Sequence, residues 1–475
     1  TLGAAGIRVP GTAGETTEGL LDKYGIPSLI MADGPAGIRL QQHYEVDRAT
    51  DTVYGIGVLG ALENGFLVDR EEHEGADQYY QYCTAFPVGT VMAQTWNRDL
   101  MQRFGEAVAL EMEAFHVNLW LAPGLNIHRN PLCGRNFEYY SEDPFLSGTL
   151  AASVTKGVQC HKGCGVTIKH FACNNQEDNR MGVDVKISER TLREIYLRGF
   201  EIAVKEGQPT AIMSSYNQIN GVYANENQDL LQKLLRDTFG FHGIVVSDWG
   251  ASNDHTEGVR CGSNLEMPGN SGTTAKELVR AVQKGRLDEK ILDKRIDEIL
   301  TTMLPVHQLV EMGKKSFDAE EHHKLARKAA AQSIVLLKNQ DNILPLSENK
   351  TVAVIGEFAE KARYQGAGSS LVNPTKVENI MDIIDGYSFK KVIYEPGYHR
   401  NQKTDHRLLE CAKKAAAEAD TVLLFVGLDE ASESEGMDRV HMKMPQKPQY
   451  IEACDGLHWI YRKLDLIKSY FYDMI

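Results

Sequence analysis

Short apolar runs that end in polar residues alternate with amphipathic stretches over roughly the first 300 residues. The clearest apolar runs cover residues 28–33, 117–123, 166–171, 211–217, 243–249 and 264–268. Stretches with helical spacing lie between them, such as residues 188–206 and 227–239. Continuous apolar strands that alternate with helices are typical of a parallel sheet covered on both faces. The pattern favours a (β/α)8 TIM-type barrel over residues 1–303.

A second α/β pattern follows a predicted linker at residues 304–324. Its signals are a helix that leads into an apolar strand at 325–338, further strands at 352–355 and 421–426, and an Ala-rich helix at 410–419. These signals predict an α/β sandwich domain over residues 325–475. Residues 47–81 are rich in Gly and Glu, and they are predicted to form a long surface insertion in the first domain.

Composition restricts the class of ligand. The formal net charge is −14, with 42% hydrophobic and 24% charged residues, which is an ordinary globular balance. An acidic surplus disfavours nucleic acid and anionic membrane surfaces as partners, whereas a neutral sugar suffers no electrostatic penalty. No apolar run reaches the roughly 20 residues that a membrane-spanning helix needs. We therefore expect a small-molecule partner, neither nucleic acid nor membrane; the sequence allows a homo-oligomer.

The cysteines and the first residues bear on the compartment. Eight cysteines are too few for a disulfide scaffold, and no second pair completes a zinc site with Cys160 and Cys164. Mostly reduced, buried cysteines favour a cytoplasmic location. The first ten residues show neither an initiator Met nor a signal-peptide pattern, so export stays open. The segment 352–356 lacks the Gly spacing of a dinucleotide site, and no cofactor is expected.

Residues suited to a polyhydroxyl ligand follow the predicted strands. They are Asp33, Arg135, Lys169, His170, Tyr216, Asp248 and Trp249. In a parallel barrel the functional side chains lie where strands end and loops begin. The Asp carboxylates can accept hydrogen bonds from hydroxyl groups and the cations can donate to them, while an aromatic ring can form an apolar wall. The sequence therefore predicts a sugar pocket with Asp248 as its strongest carboxylate.

Each of these residues also has a structural interpretation. Asp33 precedes Gly-Pro and is suited to a turn, and Arg135 can form an ion pair with Glu138. Lys169 and His170 can bond to backbone groups, and Asp248 can cap a helix. Glycoside hydrolysis usually needs a second carboxyl group. The acidic stretch 427–439 offers one, although its charge pattern alone favours a solvated loop.

Several ordered motifs resemble glycoside hydrolase family 3, and its β-glucosidase branch in particular. In the predicted barrel they are Asp33-Gly-Pro, Gly134-Arg-Asn-Phe-Glu, Ser141-Glu-Asp-Pro, Lys169-His-Phe, Asn175-Gln-Glu, Ser215-Tyr-Asn and Ser247-Asp-Trp. In the second domain they are Ser333-Ile-Val-Leu-Leu-Lys-Asn, Tyr364-Gln-Gly-Ala-Gly-Ser-Ser and Glu433-Ser-Glu-Gly-Met-Asp-Arg. The resemblance implies a retaining glycosidase that releases non-reducing terminal β-D-glucose from glucosides or oligosaccharides by double displacement.

The resemblance also implies roles for individual residues. Asp248 matches the nucleophile, and Glu435 matches the general acid/base better than Glu433 does. The positions that hold the terminal sugar match Asp33, Arg135, Lys169, His170 and Tyr216, and Arg180 is a further candidate. Desolvation of Glu435 between the two domains would favour its protonated form. A related branch that uses a His acid/base is disfavoured, because residues 172–177 contain no His.

Departures from the family pattern keep alternatives open. Asn264 stands where relatives often have Asp, and the start looks clipped. After about residue 451 the expected strands stop, so the second domain is predicted to be truncated at its C-terminal end. A catalytically weak sugar-binding protein is therefore one alternative, and a β-xylosidase-type relative is another. A third is a metal-dependent hydrolase with His128, His170 and Asp248 as ligands.

Overall fold

The computed structural model describes residues 9–442 except for 18, 55–72, 271, 307–314 and 401–404. Contacts divide the chain into two units. The first comprises the chain up to Ser333 together with residues 365–375 and 434–438, and the second comprises 334–364, 376–433 and the chain from 439. The predicted truncation after residue 451 lies outside the described residues. The coarse prediction of two α/β units is confirmed.

Strands β1–β12 belong to the first unit and β13–β15 to the second. They are β1 (Gly14–Glu15), β2 (Ile30–Ala32), β3 (His43–Asp47), β4 (Val53–Tyr54), β5 (Ala76–Tyr80), β6 (Leu119–Trp120), β7 (Gly165–Phe171), β8 (Asp184–Val185), β9 (Ala211–Ser214), β10 (Gln218–Ile219), β11 (Val222–Tyr223), β12 (Ile244–Ser247), β13 (Thr351–Ile355), β14 (Lys391–Glu395) and β15 (Thr421–Leu424).

The main sheet of the first unit has the strand order β1-β2-β6-β7-β9-β12. Only β1 is antiparallel to its neighbour, and the remaining pairs are parallel. Ile168 pairs with Ile212, which pairs with Val245, so apolar residues form rows across the sheet. Every residue of these six strands is buried, as expected for a sheet covered on both faces. The predicted strand at 264–268 reduces to one parallel bridge between Leu265 and Val246.

Most of the described α-helices belong to the first unit, and the last two belong to the second. The α-helices of the described chain are Leu21–Tyr24, Gly89–Ala93, Arg98–Phe115, Pro144–Gln159, Glu189–Thr191, Arg198–Ile202, His255–Cys261, Thr273–Gln283, Glu289–Val306, Ala319–Ser333, Ile380–Ile383 and His406–Glu418. π-helical turns cover Leu192–Tyr196, Ala203–Gly207 and Asp229–Thr238. None of the described helices is long and apolar enough to cross a membrane.

The helix Ala319–Ser333 belongs to the first unit, although the sequence assigned its second half to the next domain. Leu325, Ala326 and Ala329 join the large core of the first unit. His322 adds a polar contact, since its Nδ1 lies 2.8 Å from Oε1 of the buried Glu111. The helix therefore buries an apolar face and a paired polar group in the first unit.

Strands β4 and β5 lie in the predicted insertion and pair with β3, which precedes it, in a small antiparallel sheet of order β4-β3-β5. Residues 55–72 of this insertion lie outside the described residues. All seven cysteines of the described chain are free, and five of them are buried, namely Cys83, Cys133, Cys164, Cys173 and Cys261. These five match the prediction that most cysteines are core residues.

The second unit contains a parallel sheet in the order β14-β13-β15. Ala412, Ala415 and Ala416 of the helix His406–Glu418 pack with Ala353 and Ile355 of β13. The apolar run 333–337 was predicted to be a strand, and this prediction is wrong for the described structure. The preceding helix ends at Ser333, and Ile334 is 79% exposed, because no described strand pairs with this run.

The unusual Asn264 is explained by its hydrogen bonds. Its Nδ2 donates to Oε2 of Glu298 at 2.7 Å and to the Arg295 carbonyl oxygen at 3.2 Å. Its Oδ1 accepts from Arg236 Nη2 at 2.7 Å and from the Val245 amide at 2.8 Å. A carboxylate could not donate to Glu298, so this surrounding fits an amide rather than an acid.

Candidate active site

One cavity of about 240 Å³ opens at the carboxyl ends of β2, β7, β9 and β12. All its lining residues belong to the first unit. They are Thr12, Ala13, Asp33, Arg39, Arg135, Lys169, His170, Arg180, Met181, Met213, Tyr216, Asp248, Trp249, Ser369 and Glu435. The nine residues that the sequence singled out for the site therefore meet around one space. Small-molecule sites usually enclose roughly 300–1,000 Å³, so this cavity suits a single sugar ring.

Asp33 serves both the turn and the cavity. Its Oδ1 accepts from the Gly34 amide at 2.8 Å and from Nζ of Lys169 at 2.7 Å. Gly34 has φ +110°, and a Cβ there would lie 1.9 Å from the Gly37 carbonyl oxygen. The turn therefore requires glycine, and it aims the Asp33 carboxylate into the cavity beside a buried ammonium group.

His170 is held from both sides of its ring. Its Nδ1 lies 3.0 Å from the Tyr139 hydroxyl, and its Nε2 lies 3.6 Å from Oδ2 of Asp248. Its backbone amide donates to Oδ1 of Asn126 at 2.8 Å. Burial, followed by the charges of Arg135 and Lys169, lowers the pKa of His170 well below its ordinary value. His170 is therefore a neutral hydrogen-bonding group near neutral pH.

Asp248 follows β12 and is almost fully buried. Its Oδ1 accepts from the Trp249 amide at 2.7 Å, and within the described residues Oδ2 has no hydrogen-bond partner. The next helix begins at His255 and is capped by Asp254, so Asp248 is not a helix cap. Burial raises the pKa of Asp248, although Arg135 and Arg180 oppose the shift. One carboxylate oxygen therefore remains available inside the cavity.

Three donor groups surround the carboxylate of Glu435. Its Oε1 accepts from Nη1 of Arg180 at 3.0 Å and lies 3.6 Å from Nη1 of Arg135. Its Oε2 accepts from the Ser369 amide at 2.8 Å. Arg135 is fixed in turn by an ion pair with the buried Glu138, as the structural interpretation of this pair predicts. Segment 434–438, which carries Glu435, belongs to the first unit.

The electrostatic surroundings of Glu435 differ from the expectation. Burial alone would raise the pKa of Glu435, but Arg135, Arg180 and the hydrogen bonding of Ser369 outweigh burial and lower it. The inference that desolvation keeps this group protonated is therefore wrong for this arrangement. The two arginines hold Glu435 in its ionised form.

The alternative acid, Glu433, lies elsewhere. Its carboxylate pairs with Arg363 in the second unit, and it does not line the cavity. Glu435 is thus the carboxylate of this acidic stretch that lines the cavity together with Asp248.

Aromatic and cationic groups complete the wall. The guanidinium carbon of Arg180 lies 4.6 Å from the ring centroid of Tyr216, and Trp249 packs against the neighbouring apolar core. The sequence reasoning missed Arg39 and Ser369. Arg39 is buried, and its Nε and Nη1 have no hydrogen-bond partner within the described chain. Its position at the end of the segment 31–39, after Asp33, was the available signal.

The described residues include no cluster of three or more His, Cys, Asp or Glu residues arranged to hold a metal ion. His170 and Asp248 approach each other, but His128 does not line the cavity. The cavity lining combines carboxylates, cations and other hydrogen-bonding groups.

Family models match both parts of the chain. The model described as "Glycosyl hydrolase family 3 N terminal domain" matches residues 13–302, and the C-terminal domain model of the same family matches 334–454. The chain belongs to glycosyl hydrolase family 3. The range matched by the N-terminal model includes Asp33, Lys169 and Asp248, and the range matched by the C-terminal model includes Glu435.

Relatives of this chain are named for different activities. Thermostable beta-glucosidase B of Acetivibrio thermocellus is 44% identical over 440 residues, which is 91% of this chain and 54% of the relative. An exo-alpha-(1->6)-L-arabinopyranosidase of Bifidobacterium longum is 40% identical over 437 residues, with coverages of 90% and 54%. The chain therefore spans about half the length of these curated relatives.

Solved family 3 structures share the fold. A beta-glucosidase of Bifidobacterium adolescentis superposes with a TM-score of 0.79 at 38% identity, covering 95% of this chain and 60% of that one. Beta-glucosidase 3B of Thermotoga neapolitana in complex with glucose gives a TM-score of 0.76 at 36% identity, with coverages of 92% and 60%.

Proposed function

We propose that this family 3 protein is a retaining β-glycosidase that releases terminal β-D-glucose from glucosides or oligosaccharides. The observation that carries the proposal is the meeting of Asp248 and Glu435 in one cavity that also contains hydrogen-bonding groups for a sugar. The beta-glucosidase names of the A. thermocellus and B. adolescentis relatives support the choice of reaction. We also infer that the main sheet belongs to a (β/α)8-type barrel; the bridge from Leu265 to Val246, which adds chain beyond β12, supports this.

In the first step, Oδ2 of Asp248 attacks the anomeric carbon, and the bond to the leaving oxygen breaks. The leaving oxygen takes a proton from Glu435, and a covalent glycosyl ester remains on Asp248. In the second step, Glu435 takes a proton from water, whose oxygen attacks the anomeric carbon and frees Asp248. Two inversions retain the configuration, and this mechanism needs carboxyl groups about 5–5.5 Å apart.

The ion pair between Arg180 and Glu435 suits the second step better than the first. An ionised Glu435 can act at once as a base, whereas an acid has to carry a proton. We infer that the substrate's hydroxyl groups take over the hydrogen bond that Arg180 donates to Glu435 at 3.0 Å. Loss of this bond raises the proton affinity of Glu435 for the first step.

The sugar ring would be held by negatively and positively charged side chains and by aromatic rings. Asp33 accepts from hydroxyl groups, while Lys169, Arg135 and Arg180 donate to them, and Tyr216 and Trp249 supply apolar surface. Lys169 and Asp33 are already paired at 2.7 Å, so their spacing matches adjacent hydroxyl groups on one ring. These groups suit a pyranoside ring.

A second candidate substrate is an α-L-arabinopyranoside, because the B. longum relative bears that activity in its name at 40% identity. Rates on nitrophenyl β-glucoside, β-xyloside and α-L-arabinopyranoside would rank the candidates. If the arabinopyranoside gave the highest kcat/KM, the glucosidase assignment would be replaced. Sugar-dependent thermal stabilisation without turnover of any of the three would instead favour a binding protein.

The mechanism is tested by trapping with a 2-deoxy-2-fluoro β-glucosyl fluoride, followed by peptide mapping. We expect the label on the peptide that contains Asp248, and none on Asp248→Asn. A matched control, Asp99→Asn, changes an exposed Asp that does not line the cavity and should label normally. A label on another residue would refute the role of Asp248.

A further inference from the structure

Asp438 fastens the short segment 434–438 to three backbone amides. Its Oδ1 accepts from the Gly134 amide at 3.0 Å and from the Glu177 amide at 2.9 Å, and its Oδ2 accepts from the Asp178 amide at 3.1 Å. The Asp438 amide donates back to Oδ1 of Asp178 at 3.0 Å. A side chain that receives three N–H donors needs the acceptor capacity of a carboxylate.

Glu177 holds the same segment from its other side. Its Oε2 accepts from the Gly436 amide at 2.8 Å and from Nη1 of Arg180 at 2.7 Å. The Glu177 side chain has no solvent exposure. One buried carboxylate thus joins the residue that follows Glu435 to the arginine that contacts Glu435.

Close packing at Gly134 completes the attachment. A Cβ on Gly134 would lie 1.9 Å from the Met437 carbonyl oxygen and 2.3 Å from that of Ser434. On the opposite side, the Glu435 amide donates to the Ala367 carbonyl oxygen at 3.0 Å. The segment around Glu435 is therefore fixed at its start, middle and end.

We propose that Glu177 and Asp438 are positioning residues that dock segment 434–438 and so set the place of the Glu435 carboxyl group. The proposal rests on the proposed glycosidase function, in which Glu435 transfers the proton. Neither residue lines the cavity, and both act through Glu435 and its neighbours. A displacement of Glu435 by 1 Å would weaken proton transfer while leaving Asp248 in place.

The most informative variant is Asp438→Asn, because the Asn side chain has nearly the same shape as the Asp side chain. The Asn amide nitrogen would face one of the backbone N–H groups that now donate to the carboxylate. At least one hydrogen bond would therefore be replaced by two N–H donors that face each other. Glu177→Gln makes the equivalent change beside Gly436 and Arg180. Asp99→Asn is the matched control on the exposed surface.

Leaving-group dependence separates positioning from general damage. General acid catalysis contributes about 10²–10⁴-fold, and an aryl group such as dinitrophenolate leaves without a proton. We expect Asp438→Asn and Glu177→Gln to lower kcat/KM at least about 10-fold for methyl β-glucoside. For the dinitrophenyl β-glucoside, and for labelling of Asp248, we expect a change smaller than about 3-fold.

An equal loss on both substrates and in labelling would overturn the proposal, because it would indicate damage to the whole site. An unchanged rate on methyl β-glucoside would also overturn it. If wild type itself neither turned over nor labelled, the proposed function would fail instead. Hydrogen exchange on the wild-type protein tests the docking without any variant. The peptide covering 434–438 should be protected, and exchange at the rate of an open loop would overturn the proposal.

Discussion

The ion pair between Lys169 and Asp33 gives a quantitative test of how the site is held together. Nζ and Oδ1 are 2.7 Å apart, and the side chains are 1% and 12% exposed. Lys169→Met would leave the Asp33 carboxylate without its cation, and breaking a buried pair costs about 3–5 kcal/mol. Because Asp33 borders the cavity, water can partly solvate its carboxylate. We therefore expect the free energy of unfolding to fall by the lower figure, about 3 kcal/mol.

Urea unfolding followed by tryptophan fluorescence would measure the loss, since Trp96, Trp120 and Trp249 all lie in the first unit. The double variant Asp33→Asn/Lys169→Met removes both charges, so it should be at least about 1 kcal/mol more stable than the sum of the single changes implies. Arg48→Ala is the control. It breaks a 2.6 Å pair with Asp77 whose side chains are 64% and 50% exposed, and we expect less than about 1 kcal/mol. Strict additivity, or a Lys169→Met loss no larger than the Arg48→Ala loss, would refute the argument.

Three further changes have definite expected results. Burial raises the pKa of Asp248 above its ordinary value of about 3.9, and the nucleophile has to be ionised. The rate of labelling by the glucosyl fluoride, which needs no acid from Glu435, should therefore fall as the pH drops through the raised value. A pH profile whose acid limb lies below about pH 3.9 would contradict this. Asn264→Asp would place a carboxylate beside Glu298 in place of a 2.7 Å hydrogen bond. Thermal unfolding should then show a free energy of unfolding lower by about 1–3 kcal/mol. Unchanged stability would mean that Asn264 is not required as a donor. Ile334→Gln removes an apolar side chain that is 79% exposed, so it should change stability by less than about 0.5 kcal/mol and reduce aggregation measured by light scattering. A large destabilisation would show that this side chain is buried in solution.

Local sequence signals predicted the strands β7, β9 and β12 well, because each is a continuous apolar run buried on both faces. Lys169, His170 and Asp248 were predictable for the same reason, since they stand where those runs end. The run 333–337 has the same apolar character but forms no strand in the described chain. A strand needs a pairing partner, and a partner is a property of the fold that local composition does not encode.

The site residues that depend on distant neighbours were harder to predict. Glu433 and Glu435 are two positions apart, yet one pairs with Arg363 and the other reaches Arg180. The protonation of Glu435 was misjudged because burial and the two arginines act in opposite directions, and only their distances decide the balance. Arg39 was overlooked because its one local signal, a place after Asp33 at the end of segment 31–39, does not distinguish it from other arginines that follow turns.

The position of segment 434–438 in the first unit also bears on how the protein is made. A ribosome adds about 5–20 residues per second, so Glu435 follows Asp248 by roughly 10–40 s. During that interval the first unit can bury its sheet and assemble the groups around Asp33, Lys169 and Asp248, all of which precede Ser333. Gly134 and Glu177 must meanwhile wait for Met437 and Asp438, with amide and carboxylate groups that have yet to meet their partners. During synthesis, the groups that bind the ligand would therefore be assembled before Glu435, which donates a proton to it, is in place.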